Sequence, residues 1–201
     1  MNAAFVSGFL LSFSLILAIG PQNAFVLRQG LLRQHVLPIA FFCAISDIIL
    51  ILLGIFGFGS IISNFDDFSH YMFVIGGLWL SGYGFLRLKG AYVADSFLEA
   101  SKEGESDLKL VLMNCAVLTW FNPHVYIDTL ILIGTVSIQF EDNIQFGLGA
   151  CLASVIFFFS LAFGARTLSP LMSSKKAWQI LDVIIALVMF ILSYSMFSEA
   201  F

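Results

Sequence analysis

The stretch Asn122-Pro123-His124-Val125-Tyr126-Ile127-Asp128 decides how this chain is read. It lies in a run of oily residues, where proline breaks the helical hydrogen-bond ladder and a carboxylate requires a partner. Much earlier, Gly20-Pro21-Gln22-Asn23 interrupts the first apolar stretch in the same way. Two hydrophobic segments broken at corresponding places are expected in a transporter built from two related halves, with its binding site at the breaks.

Composition fits that expectation. Hydrophobic side chains make up 60% of the 201 residues and charged ones 11%, with a mean hydropathy of +0.98. Too few polar side chains remain to cover a water-facing surface, so the chain is expected to be an integral membrane protein. Six apolar stretches, 3–27, 36–62, 69–88, 109–136, 144–166 and 177–197, can each cross a hydrocarbon core that needs roughly 20 helical residues. The expected fold class is all-α, a polytopic bundle of six transmembrane helices. Residues 1–20 lack the basic start and the small-residue cleavage site of a signal peptide, and are read as part of the first span.

All nine Lys and Arg fall in or beside the first, third and fifth connections. They are Arg28 and Arg33, then Arg87, Lys89, Lys102 and Lys109, then Arg166, Lys175 and Lys176. The even connections and the C-terminal tail carry only acids: Asp66, Asp67, Glu141, Asp142 and Glu199. The positive-inside rule then places the odd connections in the cytosol and both termini outside it, in a multi-pass protein of the cytoplasmic (inner) membrane. The acid-rich segment 90–108 reads as a solvated linker between halves 1–89 and 109–201. Each half has an odd number of spans, so the second re-enters from the opposite side, giving two inverted-topology three-helix repeats.

Asn is a favoured helix cap and Pro a favoured first helical residue, so Asn122-Pro123 and Gly20-Pro21 each read as a fresh helix start within helices 4 and 1. Such starts present backbone N–H groups and a positive dipole end, suited to an anionic group such as a carboxylate. Two acids lie within spans, Asp47 and Asp128, and no Lys or Arg is expected at their depth. Their partners are then a bound cation, a proton, or both. Together these groups describe a site for a small ion of both signs, such as a cationic amino acid. The expected substrate-binding residues are Gly20, Pro21, Gln22, Asn23, Asp47, Asn122, Pro123, Tyr126, Asp128 and Thr129, with Asp47 and Asp128 carrying the coupling proton.

Other features have packing explanations. Arg28, seven residues beyond Pro21, is expected to snorkel or to mark a deeper first span. Asp182 is expected near the cytosolic interface beside Lys175 and Lys176, and Phe157-Phe158-Phe159 to face lipid. The glycines, among them Gly54, Gly57, Gly59, Gly76, Gly147 and Gly149, are expected to let helices approach. Cys43, Cys115 and Cys151 lack Cys-x-x-Cys spacing and are read as small buried hydrophobes. His35, His70 and His124 lie in separate segments, so no metal site is expected. No cofactor motif, nucleophile with its base, or nucleic-acid-binding pattern is visible, and a non-enzyme is expected.

The chain resembles the LysE-type lysine and arginine exporter family in two long motifs. These are Gly20-Pro21-Gln22-Asn23-Ala24-Phe25-Val26-Leu27-Arg28-Gln29-Gly30 and Thr119-Trp120-Phe121-Asn122-Pro123-His124-Val125-Tyr126-Ile127-Asp128-Thr129. Length, span count and central hydrophilic loop agree as well. The resemblance implies an inner-membrane exporter of basic amino acids, most like the family's arginine exporters, driven by the membrane potential or the proton gradient. Lysine is the second expected substrate, and a homodimer is among the assemblies such a chain allows. Competing readings are an exporter of neutral amino acids or another small cation and, behind it, a membrane thiol-disulfide electron carrier.

Overall fold

The computed structural model describes residues 3–18, 20–57, 66–93 and 107–200, and all regular structure among them is helical. In chain order the helices are α1 (Ala3–Ile16), α2 (Pro21–Leu31), α3 (Val36–Ile55), α4 (Asp66–Val93), α5 (Leu108–Trp120), α6 (Pro123–Ser137), α7 (Asn143–Leu168) and α8 (Lys175–Ala200). The middle of α6, Tyr126–Leu132, is π-helical, and a single 3₁₀ turn, Ser169–Met172, leads out of α7. Gly59 and most of the linker, including Lys102 and Asp95 through Glu105, lie outside the described residues.

Local chemistry sets the helix starts. Asp107 accepts from Lys109 N–H at 2.9 Å at the head of α5, and Asp142 from Gln145 N–H at 3.0 Å at the head of α7. Both are ordinary N-caps. The proline-marked starts open α2 and α6. The chain bends by 78° between α1 and α2 and by 62° between α5 and α6, so the first and fourth segments are indeed broken.

By length and composition, α3, α7 and α8 can each cross a membrane, and counting each bent pair as one span raises the number to five. Helix α4 is long enough, at 28 residues, but glycines, His70, Arg87 and Lys89 dilute its hydropathy. It corresponds to the third apolar stretch of the sequence. The bundle's outer surface is as oily as its core: Leu37, Phe41, Ile45, Ile49 and Leu52 form an exposed stripe along α3. A helix apolar on every side belongs in lipid.

Helix α4 packs along α8, α1 and α2 against α7, and α3 against both α7 and α6. Close approach needs glycine at the α3–α6 crossing, where a Cβ on Gly54 would stand 2.6 Å from Leu130 O. One expectation about side chains is corrected here. Phe157 and Phe158 turn inward, at 9% and 1% exposure, because that face of α7 packs against its helix neighbours, while Leu152 and Ile156 keep the outer face. Cys43 and Cys115 are buried and free, as expected, and they meet between α3 and α5 with thiols 3.4 Å apart, a contact that their spacing does not encode.

Candidate functional site

One cavity of about 300 Å³ collects most of the expected site residues. Its wall is formed by the start of α2 (Gly20, Pro21, Gln22, Asn23), by Asp47 of α3, and by Asn122, Asp128 and Thr129 at and after the second break. The volume is at the small end of ligand sites.

At the first break Gly20 is extended (φ −101°, ψ 176°), and Pro21 starts the new helix without needing an acceptor for a missing N–H. Asn23 donates its side-chain amide to Ile16 O at 2.7 Å and Ala18 O at 2.8 Å, closing the frayed end of α1. Gln22 is 5% exposed, and its amide nitrogen makes no hydrogen bond in the structure. A buried donor without an acceptor costs about 1–3 kcal/mol, so an anionic ligand group on the cavity wall would be favourable there.

The second break repeats the device with a better cap. Asn122 Oδ1 accepts from His124 N–H at 3.2 Å, and Pro123 occupies the first helical position. The π-helical turns that follow carry Asp128 and Thr129 toward the cavity, and π-bulges inside α-helices concentrate at functional sites. Pro123 itself is buried off the wall, holding Asn122 and His124 in place. Tyr126 is also off the wall; its hydroxyl donates to Trp120 O at 2.8 Å and ties the two halves of the broken segment together.

The two acids differ in their surroundings. Asp47 is 3% exposed and accepts from Ser154 Oγ of α7 at 3.1 Å. Asp128 is half-buried, with His124 four residues earlier and also on the cavity wall. Neither has a Lys or Arg partner among the described residues. His124, Phe158, Leu192 and Ser195 also line the wall beside apolar residues of α1 and α6, and the sequence reading did not count them as site residues. His124 was detectable as the residue four before Asp128 on one helix face; Ser154 and α8's contribution had no sequence signal.

Asp182 requires a correction. It is fully buried and paired with arginines rather than set beside Lys175 and Lys176, its Oδ1 lying 3.5 Å from Arg28 Nε and 3.9 Å from Arg87 Nη1. Arg28 neither snorkels to water nor reaches the cavity, because α8 supplies a carboxylate at its own depth.

The sequence profile described as LysE type translocator matches residues 13–199. The chain belongs to the LysE family. Members are transporters, so this LysE-family chain is a multi-pass membrane transporter and not an enzyme. It is 38% identical over 199 residues to the arginine exporter protein ArgO of Yersinia enterocolitica, covering 98% of this chain and 97% of that one. It is 41% identical over 178 residues to two proteins described as candidate amino-acid transporters, Mb0498 of Mycobacterium bovis and MT0507 of Mycobacterium tuberculosis, covering 88% of each chain. No solved structure matches it.

Proposed function

We propose that this protein exports cationic amino acids, arginine foremost and lysine second, across the cytoplasmic (inner) membrane by alternating access coupled to the proton gradient. The observation that carries this reading is a single cavity bearing two helix starts, a buried amide donor and two carboxylates without Lys or Arg partners among the described residues. The helix starts and Gln22 receive the substrate's carboxylate, and Asp47 and Asp128 its ammonium and guanidinium groups. Similarity to an arginine exporter over nearly the whole chain agrees with that charge pattern.

The architecture we infer is six spans in two inverted three-helix repeats, with both termini outside the cytosol. Packing supports it: contacts between the first and fifth segments have a counterpart between the fourth and second, as exchange of the halves requires. The convergence of Arg28, Arg87 and the start of α8 supports the first, third and fifth connections lying on one side.

Moving a positive charge out against an inside-negative potential costs about 2.3 kcal/mol per 100 mV. Exchange for one proton, carried inward on Asp47 or Asp128, removes that cost by making the cycle electroneutral. Counterflow in proteoliposomes with labelled arginine, lysine and leucine tests the reading. Arginine should exchange fastest and respond to an imposed pH gradient; leucine exchange at the arginine rate would overturn it in favour of a neutral amino-acid exporter.

A further inference from the structure

The Arg28–Asp182–Arg87 cluster is outside the cavity, toward the basic residues that the positive-inside rule assigns to the cytosol. Seven residues, about 10 Å of helix, separate Pro21 on the cavity wall from Arg28. Ten residues of α8, about 15 Å, separate Leu192 on the wall from Asp182. Beyond the cluster lie Arg33, Lys89, Lys175 and Lys176, the charges that mark the cytosolic side.

An aromatic plug stands on α2 between Pro21 of the cavity wall and Arg28 of the cluster. Phe25 and Tyr83, 2% and 7% exposed, meet edge to face with centroids 6.3 Å apart. Arg87 then sits over the Tyr83 ring at 5.2 Å, and Asp182 joins Arg87 to Arg28. The plug and the ion pairs form one continuous stack contributed by α2, α4 and α8. Two of those helices belong to the first half and one to the second, so relative movement of the halves must break it.

We infer that this stack is the cytosolic gate, and that Asp182 is the first docking site for the substrate's cationic end, held shut by two internal guanidiniums that an incoming guanidinium or ammonium replaces. The inference rests on the export reading above. A buried ion pair gains little over hydrated, separated partners, because Coulomb attraction and desolvation nearly cancel. Closed and open arrangements are therefore close in free energy, which alternation requires. A substrate that binds only the carboxylate released on opening shifts the balance toward the open state. Arg87, at 3.9 Å and with 19% of its side chain exposed, is the looser partner and the first to yield.

The test uses the full chain reconstituted in vesicles, with arginine offered separately at the cytosolic and the outer face. Arg87→Gln removes one competitor and should lower KM at the cytosolic face by roughly two- to fivefold, the weight of a partly exposed pair, with KM at the outer face unchanged. Asp182→Asn should cut uptake from the cytosolic face while arginine added from outside still raises the thermal midpoint. Asp182→Glu should restore part of the rate, which keeps the test usable if the amide variant does not fold. Equal KM for wild type and Arg87→Gln at the cytosolic face would overturn the docking role. Full transport by Asp182→Asn would overturn the gate. Wild-type vesicles that move no arginine from either face would instead remove the export reading itself.

Discussion

Replacing Asp47 by Asn changes one charge and almost no volume, and it separates ligand binding from folding by moving them in opposite directions. Asp47 is 3% exposed, has no cationic side chain beside it, and accepts one hydrogen bond, from Ser154. A substrate cation about 4 Å away would gain about 4 kcal/mol at an effective dielectric of 20, so its loss should weaken arginine binding about a thousandfold. The empty protein should respond the other way. A carboxylate within a span costs about 2.5–3.5 kcal/mol, whereas the replacing amide keeps an oxygen for Ser154 and carries no charge. Allowing about 1 kcal/mol for a weaker hydrogen bond, the variant should still gain about 1.5–2.5 kcal/mol, or about 3–10 °C in thermal midpoint for a chain of this size. Calorimetric titration with arginine and a thermal melt of the ligand-free protein measure both effects. Arginine affinity within threefold of wild type, or a lower melting point in the empty variant, would refute the assignment of Asp47 as an unpaired ligand group.

Further outcomes follow from the same geometry. Asn122→Ala removes the cap on His124 N–H and should cost about 1 kcal/mol in a melt, with Asn122→Ser recovering most of it. Gly54→Ala forces a Cβ to within 2.6 Å of Leu130 O and 2.9 Å of Thr129 O. It should destabilise by about 1–3 kcal/mol and lower export by displacing the π-helical turns; an unchanged rate would show that this crossing does not position Asp128. Replacing Cys43, Cys115 and Cys151 together by Ala should leave arginine counterflow intact, whereas a thiol-disulfide carrier would lose all activity. Acidifying the outer side relative to the cytosolic side should speed arginine export, and a protonophore should remove the acceleration; insensitivity to both would exclude proton exchange.

The elements that were legible in sequence are those set by backbone chemistry. Pro21 and Pro123 cannot continue a helix and are favoured in starting one, so both breaks could be placed to the residue before any packing was known. The same local logic gave the wall residues adjacent to the breaks. It failed where the deciding neighbour comes from a distant segment. Phe157 and Phe158 carry no mark that distinguishes a lipid-facing ring from a buried one, because lipid and protein interior are equally apolar. Tyr126 could be placed beside the site by number but not excluded from its wall, since the π-helical register after it changes which side chains turn inward. Cys43 and Cys115 met because α3 and α5 cross, which no spacing rule encodes.

Asp182 shows why depth in the sequence is not enough to assign a role to an acid in a membrane. All three of Asp47, Asp128 and Asp182 lie on apolar helices, but only Asp182 has cationic side chains brought to it by the fold. Its charge is already balanced, so it contributes to an arrangement of helices and is available to a ligand only when that arrangement opens. Asp47 and Asp128 have no Lys or Arg beside them among the described residues, Asp47 having only the Ser154 hydroxyl, and they alone of the three line the cavity. The two conditions are independent, one electrostatic and one geometric, and they select the same pair. A carboxylate that the protein leaves unbalanced and open to a cavity is most stable when a cation from solution supplies the missing partner, and a transporter needs that partner to be one it can release.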